Sequence, residues 1–271
     1  MDIPVEPSAW AIAFGVILFL AGTIRGLVWI IQKINEKQDI RSGLIQETGP
    51  SGLAQNLPED FQPSWLEVVL LLFSAVACTY FLPLATPIVL IGGGVLMLRQ
   101  RGVHVLKLWQ WHTSEIGSYL VQGVDRYLVI FTPMLLLAAG SVLVFRVFGG
   151  QAEPQPVVLD FLAKENHREV LVLLLLAVVI APVWEELAFR GILYPLLRGV
   201  RDRIFAVLVT GIIFGFVHGH GPAFIPLTFL GCALAWCYEQ TGKLGYCIGL
   251  HAAFNAATSI YLLLIKYAPG G

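Results

Sequence analysis

Long apolar runs that carry almost no charge recur along this chain of 271 residues and restrict what it can fold into. Residues 10–31 and 127–148 are each long enough to cross the hydrocarbon core of a bilayer as an α-helix. Hydrophobic residues make up 57% of the chain and charged residues only 13%, whereas a soluble domain carries about 25% charged residues. The sequence therefore predicts an all-α, polytopic membrane protein.

About eight membrane spans are predicted, and we expect them to form a helical bundle. The second and third share one apolar run that Pro83 and Pro87 divide by a tight turn. Arg25 of the first span is expected to snorkel to the interface, and no positive segment of a signal peptide precedes that span. Residues 99–126 mix aromatic, apolar and basic residues, which is typical of an interfacial segment. The predicted spans are residues 10–31, 65–82, 84–98, 127–148, 170–189, 204–218, 222–238 and 245–266.

The positions of the basic residues predict how the chain is oriented. Lys and Arg concentrate in the loops 32–63, 99–126 and 190–203, so we expect these loops on the cytoplasmic side and both termini outside. The loop 149–168 also carries basic residues, but acidic residues accompany them. A net charge of −1 gives no indication of nucleic-acid binding.

Two adjacent carboxylates, Glu185 and Glu186, end the uncharged apolar run 170–184. Carboxylates within a bilayer are costly, so they usually face a bundle interior or a water-filled cavity and mark functional sites. On a helix Glu186 and Arg190 share a face because they lie four residues apart, whereas Glu185 points about 100° away. We therefore expect one acid to do chemistry and the other to be held and neutralised by Arg190.

Polar residues also interrupt the apolar runs that follow. His218 ends the sixth predicted span, four residues after Phe214, and His251 and Asn255 lie four residues apart near the start of the eighth. A glutamate or histidine can deprotonate a water, and a histidine and an asparagine can donate to an oxyanion. Alternatively Glu185, with the two histidines of these runs, could hold a zinc ion that activates the water. The residues alone leave both forms of hydrolysis open.

Each of these features also has a purely structural explanation. A histidine on an apolar helix face is commonly a packed side chain, and two acids can mark a helix end at the lipid headgroups. His220 fits no pattern and is expected in a loop or at the interface. The cysteines lie in apolar segments without a CxxC pair, so we infer neither disulfides nor a thiolate metal site; they are Cys78, Cys232, Cys237 and Cys247.

Three motifs on successive hydrophobic helices carry a resemblance to a known family. Glu-Glu-x-x-x-Arg-Gly, then Phe-x-x-x-His, then His-x-x-x-Asn resemble the CAAX-protease and bacteriocin-processing family of intramembrane proteases. The likeness covers about residues 170–258. It implies an endopeptidase in a multi-pass membrane protein, located in the inner or plasma membrane if the source is bacterial. Its partners would be a membrane-associated protein or peptide substrate and the lipid bilayer, with no nucleic acid.

The resemblance also implies a role for each motif residue. Glu185 and His218 match the positions thought to activate the attacking water, and His251 and Asn255 match those proposed to stabilise the oxyanion. The second acid and the arginine of the first motif would support and orient these groups. No HExxH zinc helix is present, and we favour bare water over zinc, so no cofactor is certain. The first 150 residues would supply N-terminal helices and the interfacial segment, and residues 151–271 the catalytic core of one membrane domain.

Two other functions fit the same residues. A catalytically silent member of the family could act as a binding, immunity or scaffold protein. Intramembrane Glu and His residues could also relay protons in a transporter, although the chain lacks the inverted repeat that many transporters contain.

The predicted spans contain one contradiction. With straight helices, Glu185 lies near the cytoplasmic end of its span and His218 near the opposite end of the next one. The two residues can cooperate only if a boundary is wrong. Residues 191–203 would bring them together if they dipped into the bilayer.

Overall fold

A computed structural model describes residues 7–41, 52–81, 88–151 and 153–267 of the chain. In these ranges every regular element is helical. Two short 3₁₀ turns, Ala54–Asn56 and Thr113–Glu115, and three π-helical turns, Ile88–Gly92, Leu176–Ile180 and Phe189–Leu193, accompany the α-helices. The α-helices are α1 (Ala9–Arg41), α2 (Trp65–Phe81), α3 (Gly93–Gln100), α4 (Val105–Trp109), α5 (Ile116–Val147), α6 (Pro156–Ala163), α7 (His167–Leu175), α8 (Ala181–Ala188), α9 (Tyr194–Val200), α10 (Arg203–Val217), α11 (Gly221–Thr241) and α12 (Leu244–Tyr267).

The described helices confirm an all-α, polytopic membrane fold. Five helical stretches are long and apolar enough to cross a membrane: Ala9–Gln38, Val105–Val147, His167–Val200, Gly221–Thr241 and Leu244–Tyr267. Three shorter apolar helices, Trp65–Ser74, Val89–Gln100 and Arg203–Val217, occupy the remaining predicted spans. The turn predicted at Pro83 and Pro87 lies outside the described residues.

Contacts between loops define two ends of the bundle. At the basic end, Gly52 N–H donates to the Gln240 carbonyl and Arg101 to the Gln62 carbonyl. At the opposite end, the Ser8 hydroxyl donates to the carbonyl of Leu264, near the C-terminal end of α12. Two of the three loops predicted to share one side, 32–63 and 99–126, therefore meet at one end. That this end faces the cytoplasm stays a prediction.

Three predicted boundaries are wrong. Residues 116–126 belong to α5, so the segment at the basic end is shorter than expected and contains α4. The loop 149–168 contains α6 and the first residues of α7. Residues 190–200 are not a loop but continue the helix that carries the two acids, and residues 191–197 are buried. The basic residues of that segment indicated a loop, but the segment is part of one helix, His167–Val200, in which π turns accommodate its glycine and proline.

Glycines allow the site-bearing helices to pack closely. A Cβ on Gly231 of α11 would lie 2.8 Å from the Cα of Gly211 on α10. A Cβ on Gly249 of α12 would lie 2.1 Å from the carbonyl oxygen of Tyr119 on α5. Both distances are below contact range, so larger residues would push these helix pairs apart.

Candidate active site

The turn at residues 201–202 brings Glu185 and His218 to the same depth in the bundle. Glu185 precedes Val200, the last residue of α9, by 15 residues, and His218 follows Arg203, the first residue of α10, by 15 residues. At about 1.5 Å per residue, both therefore lie roughly 22 Å from the turn along adjacent helices.

The expected separation of Glu185 from His218 is therefore wrong. The acid-bearing helix does not end at Phe189 but continues toward the basic end, so the acids lie near its middle. The rings of Phe189 and Phe214, one on each helix, meet edge to face at 5.2 Å and show the same alignment. The sequence suggested that the two residues could meet if the segment after Arg190 entered the bundle, and the structure shows this arrangement.

Three polar atoms converge between α8, α10 and α12. Glu185 Oε2 lies 3.9 Å from Nε2 of His218 and 3.9 Å from Nε2 of His251. These separations are too long for direct hydrogen bonds but suit a single bridging water. The side chains of Glu185 and His218 are 29% and 26% exposed, whereas His251 is 4% exposed, so the site is reached from the side of Glu185 and His218.

The hydrogen bond made by Nδ1 of each histidine determines the tautomer of its ring. His218 Nδ1 donates to the Phe214 carbonyl oxygen at 2.7 Å, and His251 Nδ1 donates to Glu186 Oε1 at 2.8 Å. Because carbonyl and carboxylate oxygens only accept, the proton is on Nδ1 in both rings. In the neutral rings, the Nε2 lone pairs then face the Glu185 carboxylate. Acceptors arranged in this way attract a hydrogen-bond donor such as water.

The second acid belongs to a buried network behind this centre. Arg190 Nη1 donates to Glu186 Oε1 at 3.0 Å and Nη2 donates to the Gly231 carbonyl at 2.8 Å. Both side chains of the predicted Glu186–Arg190 pair are fully buried, and the guanidinium lies 4.9 Å from the Phe214 ring centre. The same Glu186 oxygen accepts from His251, so the network orients one of the two histidine rings that face Glu185.

Two π turns flank the acids, and a proline follows each of them by two residues. The turn Leu176–Ile180 precedes Pro182, and the turn Phe189–Leu193 precedes Pro195. Such turns insert an extra residue into a helix and occur frequently at functional sites. Since proline has no N–H, each one leaves a carbonyl oxygen of the preceding turn without its helical donor.

Asn255 supplies the missing donor at the first π turn. Its Nδ2 donates to the carbonyl oxygen of Ala177 at 2.7 Å. Ala177 lies five residues before Pro182, the distance that a π-helical hydrogen bond would span. The hydrogen bonds of Asn255 within the described residues do not include Glu185 or either histidine, so its role as an oxyanion donor stays a prediction.

Trp109 supplies the donor at the second π turn, and sequence reasoning assigned it only an interfacial role. Its indole Nε1 donates to the carbonyl oxygen of Gly191 at 3.0 Å. The available signal was Pro195, four residues after Gly191, because an α-helical carbonyl normally accepts from the N–H four residues later. The sequence did not indicate which donor would replace that N–H.

The donor types at the centre suit zinc, but their spacing does not. A glutamate and two histidines can ligate zinc, and zinc-bound histidines usually donate from the other nitrogen, as both rings do here. Ligands of one tetrahedral zinc at about 2.0–2.2 Å would lie roughly 3.4 Å apart. The separations from Glu185 are 3.9 Å, and no three His, Cys, Asp or Glu side chains in the described ranges form a metal-binding group. As the side chains lie, these donors are too widely spaced to share one zinc ion, and the preference for bare water stays a prediction.

The remaining candidate residues lie outside the cluster. His220 begins α11, where its Nδ1 accepts from Ala223 N–H and its Nε2 donates to the Glu153 carbonyl. It is a loop residue that caps a helix. Among the cysteines whose side chains the structure describes, none forms a disulfide; these are Cys232, Cys237 and Cys247.

Comparison with known proteins agrees with the motifs. Residues 167–257 match the model of a family described as type II CAAX prenyl endopeptidase Rce1-like. This part of the chain is therefore similar to the Rce1-like family. The match contains all six candidate residues, from Glu185 to Asn255. It confirms the resemblance expected from the sequence, and the helices confirm a multi-pass membrane protein.

A curated relative is also named as a membrane peptidase. A protein of Bacillus subtilis (strain 168) named "Putative membrane peptidase YdiL" is 28% identical over 169 residues, which are 62% of this chain and 67% of that protein. No solved structure matches the chain.

Proposed function

We propose that the protein is a membrane-embedded endopeptidase that hydrolyses a peptide bond in a membrane-associated substrate, either a CAAX-like protein or a peptide precursor. The observation that carries the proposal is the position of Glu185 Oε2, 3.9 Å from the Nε2 atoms of two histidines whose tautomers are fixed. This arrangement lies in the part of the chain that matches a peptidase family.

In the proposed reaction, Glu185 and His218 activate a water. The water donates hydrogen bonds to the Glu185 carboxylate and to His218 Nε2, and its oxygen attacks the scissile carbonyl carbon. One of these two groups takes the proton and later transfers it to the leaving amine. The bond from His218 Nδ1 to the Phe214 carbonyl keeps the Nε2 lone pair directed at the water.

The proposed oxyanion donors are His251 and Asn255. Because the His251 Nδ1 proton is used by Glu186, His251 can donate from Nε2 only as an imidazolium. Asn255 uses one amide hydrogen for Ala177 and has a second one that can bond an oxyanion. Such donors typically contribute about 10²–10³-fold in kcat.

Cleavage of a peptide panel by matched histidine and glutamate variants tests the proposal. Purified protein in detergent is mixed with prenylated and unmodified peptides, and the metal content of the same samples is measured. We expect Glu185→Gln and His218→Gln each to lower kcat by about 10²–10⁴-fold, since each removes a general base. His220→Gln, two residues away in a loop, is the matched control and should cleave like the wild type.

Two results would contradict the proposal. Equal cleavage by Glu185→Gln and the wild type would remove the acid from the reaction. Binding of a peptide by folded wild type, with no cleavage of any panel member, would favour a silent binding protein instead. Metal that co-purifies stoichiometrically and is lost in Glu185→Gln would replace the bare water with a zinc-bound one.

A further inference from the structure

The π turn Phe189–Leu193 joins two parts of one helix, and the orientation of each part is fixed by its own contacts. On one side, Glu185 and Glu186 face the reactive centre and the buried network. On the other side, α9 is fixed to α11, because the Tyr194 hydroxyl donates to Glu239 Oε2 at 2.8 Å. One residue more or less between these parts would rotate the acids by about 100° relative to α9. The turn therefore determines where the two acids point.

The hydrogen-bond ladder of the helix is incomplete at this turn. Tyr194 N–H donates to the Phe189 carbonyl, five residues back, and Pro195 has no N–H to offer Gly191. Within the described residues, the indole of Trp109 fills this position at 3.0 Å from the Gly191 oxygen. The approach is close, since a Cβ on Gly191 would lie 2.8 Å from Trp109 Nε1.

Trp109 is itself held in place. It is the last residue of α4, and the preceding residue, Leu108, is fully buried. The Tyr238 hydroxyl of α11 donates to the Leu108 carbonyl at 2.8 Å. Helix α11 also fixes α9 through Glu239. It therefore positions both Trp109, which donates to the π turn, and α9, which follows the turn.

We propose that Trp109 is a positioning residue for the reaction. Its indole N–H stabilises the π turn, which keeps Arg190 on Glu186 and thereby orients His251 and Glu185. Trp109 lies outside the family match and outside the reactive centre, so a segment before α5 takes part in ordering the catalytic helices. The proposal rests on the proposed peptidase activity, which supplies one of its two readouts.

The test replaces the indole by a ring without a donor. Trp109→Phe removes the hydrogen bond and leaves the Gly191 oxygen without a donor. Trp111→Phe is the matched control, because Trp111 is 43% exposed and its ring packs against Tyr119 instead. For each variant, kcat and KM are measured with a cleaved peptide, and amide hydrogen exchange is measured for residues 189–196.

For Trp109→Phe we expect kcat to fall about tenfold with KM changed less than twofold, because a lost hydrogen bond at the carbonyl of the buried Gly191 misplaces the acids without removing substrate contacts. Exchange at residues 189–196 should become faster, while Trp111→Phe should match the wild type in both readouts. A general loss of folding would instead raise exchange throughout the bundle and lower the melting temperature. Gly191→Ala, which displaces the indole, should reproduce the loss of kcat and add little to Trp109→Phe.

The two readouts separate this proposal from the peptidase proposal. Wild-type kcat in Trp109→Phe would overturn the positioning role and leave the peptidase proposal standing. If the wild type cleaves no peptide, hydrogen exchange still decides, because unchanged exchange at residues 189–196 in Trp109→Phe would overturn the anchoring of the turn.

Discussion

Among the arginine–carboxylate pairs on the described membrane-spanning helices, Arg25–Asp125 and Arg190–Glu186 differ completely in their surroundings. Arg25 of α1 pairs with Asp125 of α5, and the two side chains are 26% and 45% exposed. Arg190 and Glu186 are both fully buried, and each also bonds a further group of the bundle. The first pair joins two helices, whereas the second continues through His251 to the reactive centre.

The comparison shows why an intramembrane charge by itself is weak evidence of function. Arg25 makes an interhelical contact to Asp125, and its expected position at the interface stays a prediction. Arg190 matters because of its connections, since it neutralises an acid that in turn orients a histidine. Ionisable residues in a span therefore indicate function when their partners lead to a reactive group.

The largest difference between the pairs should appear when each arginine is replaced by glutamine. Arg190→Gln leaves the buried Glu186 without its counter-ion, so we expect a stability loss of about 3–5 kcal/mol and no detectable cleavage. Unfolding in detergent and peptide cleavage measure these effects. A stability loss no greater than that of Arg25→Gln would contradict the structural role of the buried pair.

Replacing Asn255 should have an intermediate effect and separates its two assigned roles. Asn255→Ala leaves the Ala177 oxygen without its donor, which should cost about 1–3 kcal/mol in stability. If Asn255 also bonds the oxyanion, kcat falls about 10²–10³-fold in the folded variant. Thr258→Ala is the control, since the Thr258 hydroxyl bonds only within α12, to the Phe254 carbonyl. A stability loss without a loss of kcat would leave Asn255 as an anchor alone.

The smallest effect is expected for the exposed pair. Arg25→Gln or Asp125→Asn should lower the stability by about 1 kcal/mol or less and leave kcat unchanged, as for other interhelical polar contacts in membranes. Melting temperature and cleavage assays check both variants. A marked loss of cleavage in either one would show that α1 is coupled to the reaction and would end the contrast between the pairs.

Local spacing was enough to predict much of the molecule. Apolar runs predicted a polytopic helical protein, with five of the described helices long and apolar enough to cross a membrane. The four-residue spacing of Glu186 and Arg190 predicted their pairing. Spacing could not predict the π turns, because the helix accommodates Pro182 and Pro195 only with donors from distant segments. Those donors, Asn255 and Trp109, lie 78 and 82 residues away from the carbonyls they serve. The predicted depth of Glu185 was wrong for the same reason, because that depth depends on where the helix ends and the π turns allow the helix to continue.

Glu185 and His218 are proposed to act on one water. The most direct test is a double-mutant cycle of Glu185→Gln and His218→Gln, with kcat/KM measured for each single variant and for the pair. Groups that act as a unit are not additive, so the double variant should be about as impaired as the worse single variant. Losses that multiply in the double variant, or a wild-type rate in either single variant, would contradict the account.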